Sequence, residues 1–236
     1  MSDHRQSIQK QTLRYGITVF VLLLISHVLV EQIFFVKLLL SIADLKFWEF
    51  YFDPIYYTVF AIIFIVIQRR QLIESLQDYR KNYKKYLPHV SISVLIMFLL
   101  IIIVAITLSS LGIGDSSNET AISEAVKASP IIEGATALLI GPFVEEMVFR
   151  GFIYEIVRRK IKDNRKLLIC LWILIASVLF TLHHCNLEDF KSLKAMASYL
   201  IVFVEGLVMT GLYEKDRNIF SSLLLHCIIN VLAFMN

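Results

Sequence analysis

Seven apolar stretches, each near the length of a bilayer-crossing helix, recur along the chain at about residues 15–36, 52–68, 89–113, 131–157, 167–185, 197–213 and 218–235. A spanning helix needs roughly 20 predominantly apolar residues, because it rises 1.5 Å per residue through hydrocarbon in which every backbone polar group must be satisfied internally. The pattern predicts an all-α fold, a polytopic membrane helical bundle of about seven transmembrane helices. With 57% hydrophobic residues the composition excludes a soluble globular domain. No internal repeat and no Pro-, Gly- or Ser-rich linker divides the chain. Its polar breaks separate an N-terminal set of helices over 1–113, with a basic loop at 69–88, from a second set over 130–235.

Lysine and arginine set the expected orientation. Seventeen fall in residues 1–14, 69–88, 158–166 and 214–217, against five in the alternate connections, at Lys37, Lys46, Lys127, Lys191 and Lys194. The positive-inside bias therefore predicts a cytoplasmic N-terminus and an outer C-terminus. Because this asymmetry reads as topology, no nucleic-acid partner is expected. Arg5, Lys10 and Arg14 ahead of an apolar run imitate a signal peptide, and Ser41-Ile42-Ala43 imitates a cleavage site. The run is nevertheless longer than the roughly 7–15 residues of a signal h-region, so an uncleaved first helix is expected. The basic loop spaces Leu72, Ile73 and Leu76 at helical intervals, with Tyr79, Tyr83 and Tyr86 further on; it reads either as an amphipathic helix on anionic lipid or as a solvated helical arm. Gly114 to Thr120 is a turn-rich polar stretch containing the sequon Asn118-Glu119-Thr120, which has no meaning in a bacterial protein. Cys170, Cys185 and Cys227 lie in or beside apolar segments and predict buried thiols, not a disulfide framework.

Charge inside the fourth stretch is the chemical anomaly. The run from Gly141-Pro142 through Glu145-Glu146 to Arg150 puts two carboxylates and a guanidinium where a charge costs roughly 2.5–3.5 kcal/mol on insertion, so such groups usually face an aqueous cavity. Glu146 and Arg150 are four residues apart and share a helix face, whereas Glu145 is rotated by about 100° and left without that partner. One carboxylate is thereby held, and the other is free to take or give a proton. The bland alternative is a Glu–Arg pair that glues helices together, with Glu145 facing a loop. Phe180-Thr181-Leu182-His183-His184 closes the fifth stretch, and His226-Cys227-Ile228-Ile229-Asn230 lies within the seventh. Together these segments supply a carboxylate to deprotonate water, a histidine to orient it or shuttle the proton, and a His/Asn pair to donate to a developing oxyanion. Peptide hydrolysis needs those functions.

The three motifs, Glu-Glu-x-x-x-Arg at 145–150, Phe-x-x-x-His at 180–184 and His-x-x-x-Asn at 226–230, occur in that order on separate stretches. In this the chain resembles the CAAX prenyl endopeptidase and bacteriocin-immunity family of intramembrane proteases, the Abi or CPBP proteins. The resemblance covers about residues 130–235, and the first 110 residues match only as generic membrane helices. It implies that Glu145 activates water, that Glu146 with Arg150 holds the site, and that His184 partners the base. His226 and Asn230 would stabilise the tetrahedral intermediate or complete the water site. His183 is a second candidate for the role of His184, although the spacing from Phe180 favours His184. Members are described both as metalloproteases and as metal-free glutamate proteases. Zinc is the one cofactor these residues could take, through Glu145, His184 and His226; no His-Glu-x-x-His helix is present, and an asparagine with a Glu–Arg pair suits water and oxyanion binding better. Cys185 and Cys227, next to the motif histidines, point about 100° away from them on a helix.

The expected activity is hydrolysis of a peptide bond by an integral protein of a bacterial plasma membrane, acting in peptide processing or bacteriocin self-immunity. Its partners are the lipid bilayer and a peptide or membrane-protein substrate, prenylated or not, and the oligomeric state is left open. The competing reading is non-catalytic, an immunity or scaffold protein that binds a peptide or protein partner. A proton-coupled transporter would also carry membrane carboxylates, but matching interrupted helices in two halves are missing. Depth is the point of conflict: Glu145 falls about 20 Å from the outer start of its stretch, and His184 near the outer end of the next. Strong tilt, a break at Gly141-Pro142 or a misplaced fifth boundary would each remove it. Glu205, beside Gly206 and near Gly211 in the sixth stretch, either lines the same cavity or marks close helix packing.

Overall fold

A computed structural model describes residues 45–186 and 188–234, with side chains from residue 53 onward except Asn118. The predicted first span at 15–36 lies outside these residues. Regular structure among them is entirely helical, as the apolar pattern requires. Three helices, Tyr83–Ser110, Lys166–His184 and Leu193–Asp216, are long and apolar enough to cross a bilayer, and Ile219–Phe234 is a shorter apolar helix.

The chain divides into two compact units, residues 1–69 and 70–236. Helix α1 (Leu45–Lys81) passes from one to the other and is broken at Gln68, where φ is −105° and ψ 15°. Within the first unit Tyr56 packs edge-on to Tyr57 and tilted against Phe60.

In the second unit the basic loop 69–88 is helix on both sides of a single break at Asn82, whose side-chain amide donates to Asp78 at 2.7 Å before α2 (Tyr83–Ser110) begins. Residues 70–81 form a docked arm: Asn218 donates to Ser75 O and to Asp78 Oδ2 at 3.0 Å each, and Tyr79 stacks on Tyr86. Helix α3 (Ser117–Ala128) starts inside the stretch read as a polar turn, because Ser116 caps it by accepting from Glu119 N. The long fourth stretch is one rod, α4 (residues 132–158), assembled from Ile132–Ala135, a π turn Thr136–Ile140, Gly141–Val148, a second π turn Phe149–Tyr154 and Glu155–Arg158. Then follow α5 (Lys166–His184), α6 (Leu193–Ser198), α7 (Leu200–Asp216) and α8 (Ile219–Phe234).

Helix α2, grouped by sequence with the N-terminal helices, packs against α7 and α8, and α7 packs against α5. The connections rich in Lys and Arg come together at one end of this unit, through His89–Asp216 at 2.6 Å, Arg158–Glu214 at 2.7 Å and Arg217–Glu155 at 2.5 Å. The thiols are only partly as expected: Cys185 and Cys227 are half-buried and Cys170 is exposed, all three free.

Candidate active site

Rod α4 supplies the carboxylates, and its irregularity begins with its sequence. Gly141 N–H donates to Thr136 O, a five-residue step that makes the first π turn. Ala137 O then has no helical donor left, since Gly141 N–H is used and the next residue, Pro142, has none. Asn230 on α8 meets this orphaned carbonyl, donating its Nδ2–H at 2.8 Å. A Cβ on Gly141 would stand 3.1 Å from Thr136 O, so the turn favours glycine there. The predicted break at Gly141-Pro142 is thus a π turn within a continuous rod, with its freed group satisfied by a neighbouring helix.

Glu146 and Arg150, one turn apart and both fully buried, form an ion pair at 2.7 Å. Arg150 Nη2 donates to Gly206 O at 3.3 Å, and its guanidinium lies 4.4 Å over the Phe180 ring. Close approach of α7 to α5 makes this possible, since a Cβ on Gly206 would lie 3.0 Å from Phe180 and 3.4 Å from Ser177. Phe180, itself buried, also packs against the rings of His184 and Phe149.

Glu145 faces the two imidazoles. Its Oε2 lies 3.7 Å from His184 Nε2 and 3.8 Å from His226 Nε2, too far for direct hydrogen bonds. Each ring is oriented from behind. His184 Nδ1 is 2.9 Å from Phe180 O, an oxygen that can only accept, so Nδ1 carries the proton. His226 Nδ1 is 3.1 Å from Glu146 Oε1 and is held in the same way. In its neutral form each ring presents an unprotonated Nε2 towards a carboxylate. Acceptors facing one another at this spacing call for a donor between them, and a water about 2.8 Å from each fits that need.

The geometry sorts the sequence candidates. Glu145, Glu146, Arg150, His184 and His226 come together, whereas the Asn230 amide is engaged with Ala137 O. His184 takes the place beside Glu145, and His183 packs against Phe149 instead. The middle of α4, about 40 Å long, meets the end of α5, about 28 Å long, where Glu145 faces His184. Two features escaped the sequence. One is the bond from His226 to Glu146, which no spacing rule predicts. The other is a polar knot just past His184, where Asp189 accepts from Tyr199 OH at 2.6 Å, from Ser117 Oγ at 3.1 Å and from Asn186 N at 2.8 Å. It bolts the His184 end of α5 to the starts of α3 and α7. Asp189 lies beside Glu188 and close to Lys191 in a short polar connection, so nothing in the sequence singled it out.

Glu145, His184 and His226 are also the residues that would hold zinc. Tetrahedral bonds of 2.0–2.1 Å would set ligand atoms about 3.3 Å apart, closer than the 3.7 and 3.8 Å found, and no group of three or more His, Cys, Asp or Glu among the described residues is arranged to hold a metal ion.

Residues 127–232 match the family described as Type II CAAX prenyl endopeptidase Rce1-like. The UPF0177 protein YvdC of Lactococcus lactis subsp. lactis (strain IL1403) is 25% identical over 193 residues, which cover 80% of this chain and 69% of the relative. No solved structure matches the chain. The matched segment spans all three motifs, and over it the chain is similar to the Rce1-like family of CAAX-type membrane proteases.

Proposed function

We propose that this protein is an intramembrane endopeptidase that hydrolyses a peptide bond with a water activated by Glu145. The observation that carries the reading is the meeting of Glu145 Oε2 with two Nε2 atoms, each on an imidazole whose other nitrogen is already committed. Glu145 takes one proton from the water as its oxygen attacks the carbonyl carbon. The second hydrogen is held by Nε2 of His184 or His226. The second amide hydrogen of Asn230 is the donor left for the oxyanion, the first being spent on Ala137 O. As the intermediate collapses, the C–N bond breaks and Glu145 returns its proton to the leaving amine. Glu146 and Arg150 do no chemistry in this scheme; their pair fixes His226 and the floor of the site.

The reading places the activity in peptide processing or bacteriocin self-immunity in a bacterial plasma membrane; the lactococcal relative supports the bacterial setting alone. The test is cleavage of quenched peptides by the purified protein in nanodiscs, with wild type, Glu145→Gln and chelator-treated samples side by side. Wild type should cleave and Glu145→Gln should not. Undiminished cleavage by well-folded Glu145→Gln would leave the non-catalytic immunity or scaffold reading. Loss on chelation with recovery on added zinc would replace the water site by a metal site on the same residues.

A further inference from the structure

Residues 70–88 take no part in the proposed chemistry. Immediately after them, from Tyr86 to Ile113, the chain carries no Asp, Glu, Lys or Arg, and the outward side of α2 is apolar, with Ile92, Leu95, Leu99 and Ile103 each more than half exposed. The hydrocarbon edge therefore lies close to Tyr86, and the basic run that ends at Lys85 stands at headgroup level. The arm 70–81 is held along that level and does not project from it. Asp78 accepts from the Tyr86 hydroxyl at 2.6 Å, and the Tyr79 ring lies 5.4 Å from that of Tyr86. Ser75, seven residues and about 10 Å before the break at Asn82, still donates to Asn218 at the turn between α7 and α8, at 3.0 Å.

These contacts use one side of the arm, through Ser75, Asp78 and Tyr79. Another side stays open: Ile73 and Leu76, one turn apart, are 44% and 42% exposed, and Arg80 follows them on the same face. Beyond the break, Tyr83 and Leu87 are nearly half exposed. Charge on the open side is unmatched. Among the described residues Arg80, Lys81 and Lys84, all exposed, make no ion pair, while the nearest carboxylate in sequence, Asp78, is taken up by Tyr86, Asn82 and Asn218. Arg70, by contrast, is closed by Glu74 at 3.0 Å. Exposed apolar side chains flanked by free cations at the edge of a bilayer complement a leaflet with negative headgroups, since the first can enter among the acyl chains while the second meet phosphate. A soluble acidic partner would match the cations alone.

We propose that the open face of residues 73–87 is a docking surface for anionic phospholipid. Ile73, Leu76, Tyr83 and Leu87 enter the leaflet at the basic end, and Arg80, Lys81 and Lys84 bind its headgroup phosphates. The proposal stands apart from the protease reading, and its test involves no cleavage. Amide hydrogen exchange over residues 70–88 is followed for the full chain in nanodiscs of phosphatidylcholine alone and with about one-third phosphatidylglycerol, each in low and high salt. A cation at such a surface favours binding by about fivefold, so phosphatidylglycerol should slow exchange in the wild type by about tenfold or more, and high salt should reverse the slowing. The triple variant Arg80→Gln, Lys81→Gln, Lys84→Gln should exchange alike in both lipids, at the wild-type rate in phosphatidylcholine, since these side chains hold nothing inside the protein. The triple variant Lys160→Gln, Lys162→Gln, Lys166→Gln removes as much charge from the neighbouring connection and should keep the slowing. Ile73→Ser with Leu76→Ser keeps every cation and should lose most of it. Equal exchange of the wild type in both lipids overturns the proposal and leaves the open face to solvent or to a soluble partner. Slowing that survives the changes at Arg80, Lys81 and Lys84, or that disappears with those at Lys160, Lys162 and Lys166, also overturns it, because the effect would then belong to surface charge in general. Undiminished slowing in the Ile73, Leu76 variant overturns the entry of apolar side chains into the leaflet.

Discussion

The two ends of the second unit use the same residue types to opposite effect. At the basic end, Arg158 reaches Glu214 at 2.8 Å and Asp163 at 2.7 Å, Tyr154 donates to Glu214 at 3.0 Å, and Tyr213 donates to Glu155 at 3.0 Å. These charges meet directly and close on one another. At the other end Glu145 stops 3.7 and 3.8 Å short of two imidazoles. Closed polar networks hold helices together, whereas groups oriented from behind and left unspent in front are available for chemistry. The contrast separates function from structure better than the presence of charge in a membrane does.

The sharpest way to break it is to remove the unspent carboxylate. Glu145→Gln should lower peptide cleavage by about 10²–10⁴-fold while leaving the thermal midpoint in detergent within a degree or two, as expected for a general base that holds nothing in place. A large loss of stability would put Glu145 among the structural groups. Arg150→Met should do the reverse first: it strands Glu146, fully buried, and should cost about 3–5 kcal/mol in unfolding measurements, with activity falling because the Glu146 that orients His226 is no longer held by its guanidinium. Pairing it with Glu146→Gln should recover part of that loss, since the stranded charge is then gone. Failure of the double variant to recover would argue against a closed Glu–Arg pair.

Sequence carried most of the site because its residues lie at helical spacings. Glu146 and Arg150 must share a face, Glu145 must leave it, and Phe180 and His184 must stack one turn apart, whatever the tertiary packing. Long-range partners were illegible for the opposite reason. That Asn230 caps Ala137 O depends on a π turn, and hence on Gly141 and Pro142 acting together on a carbonyl 93 residues away. The choice of His184 over His183 depends on which face of α5 meets α4. That Glu145 meets His184 across α4 and α5 was illegible because the two helices differ in length, so the middle of one opposes the end of the other. In the fold, apolar length gave the helices, but the docking of residues 70–81 turned on Asn218, whose single side chain bridges Ser75 and Asp78.

Two smaller changes test the structural side of the contrast. Arg158→Ala removes the hub of the basic network and should cost about 1–3 kcal/mol of stability, with cleavage per folded molecule unchanged. Gly206→Ala inserts a methyl 3.0 Å from Phe180, and overpacking of that kind costs about 1–3 kcal/mol. Because Phe180 carries both Arg150 and His184, this variant should also lose activity. Equal effects of the two changes on cleavage would erase the distinction between the ends.

The smallest effect belongs to Asp78, where the docked arm meets the rest of the unit. The Tyr86 hydroxyl, donating at 2.6 Å, does most to hold the Asp78 carboxyl below its ordinary value of 3.8, with help from Asn218, Asn82 and Lys85 against the opposing effect of burial. A carboxyl whose pKa is lower folded than unfolded stabilises the fold above its unfolded value, and that contribution fades as pH falls through the folded one. Wild type should therefore lose stability relative to Asp78→Asn as pH is taken from about 5 to below 3.8, while at pH 7 the wild type is the more stable of the two. The group is exposed, so the difference should be a small shift in thermal midpoint. Parallel curves for the two proteins across that range would mean that the arm is held by Tyr79 and Asn218 without the charge on Asp78. The basic end would then be closed by neutral contacts at its rim as well as by ion pairs at its centre.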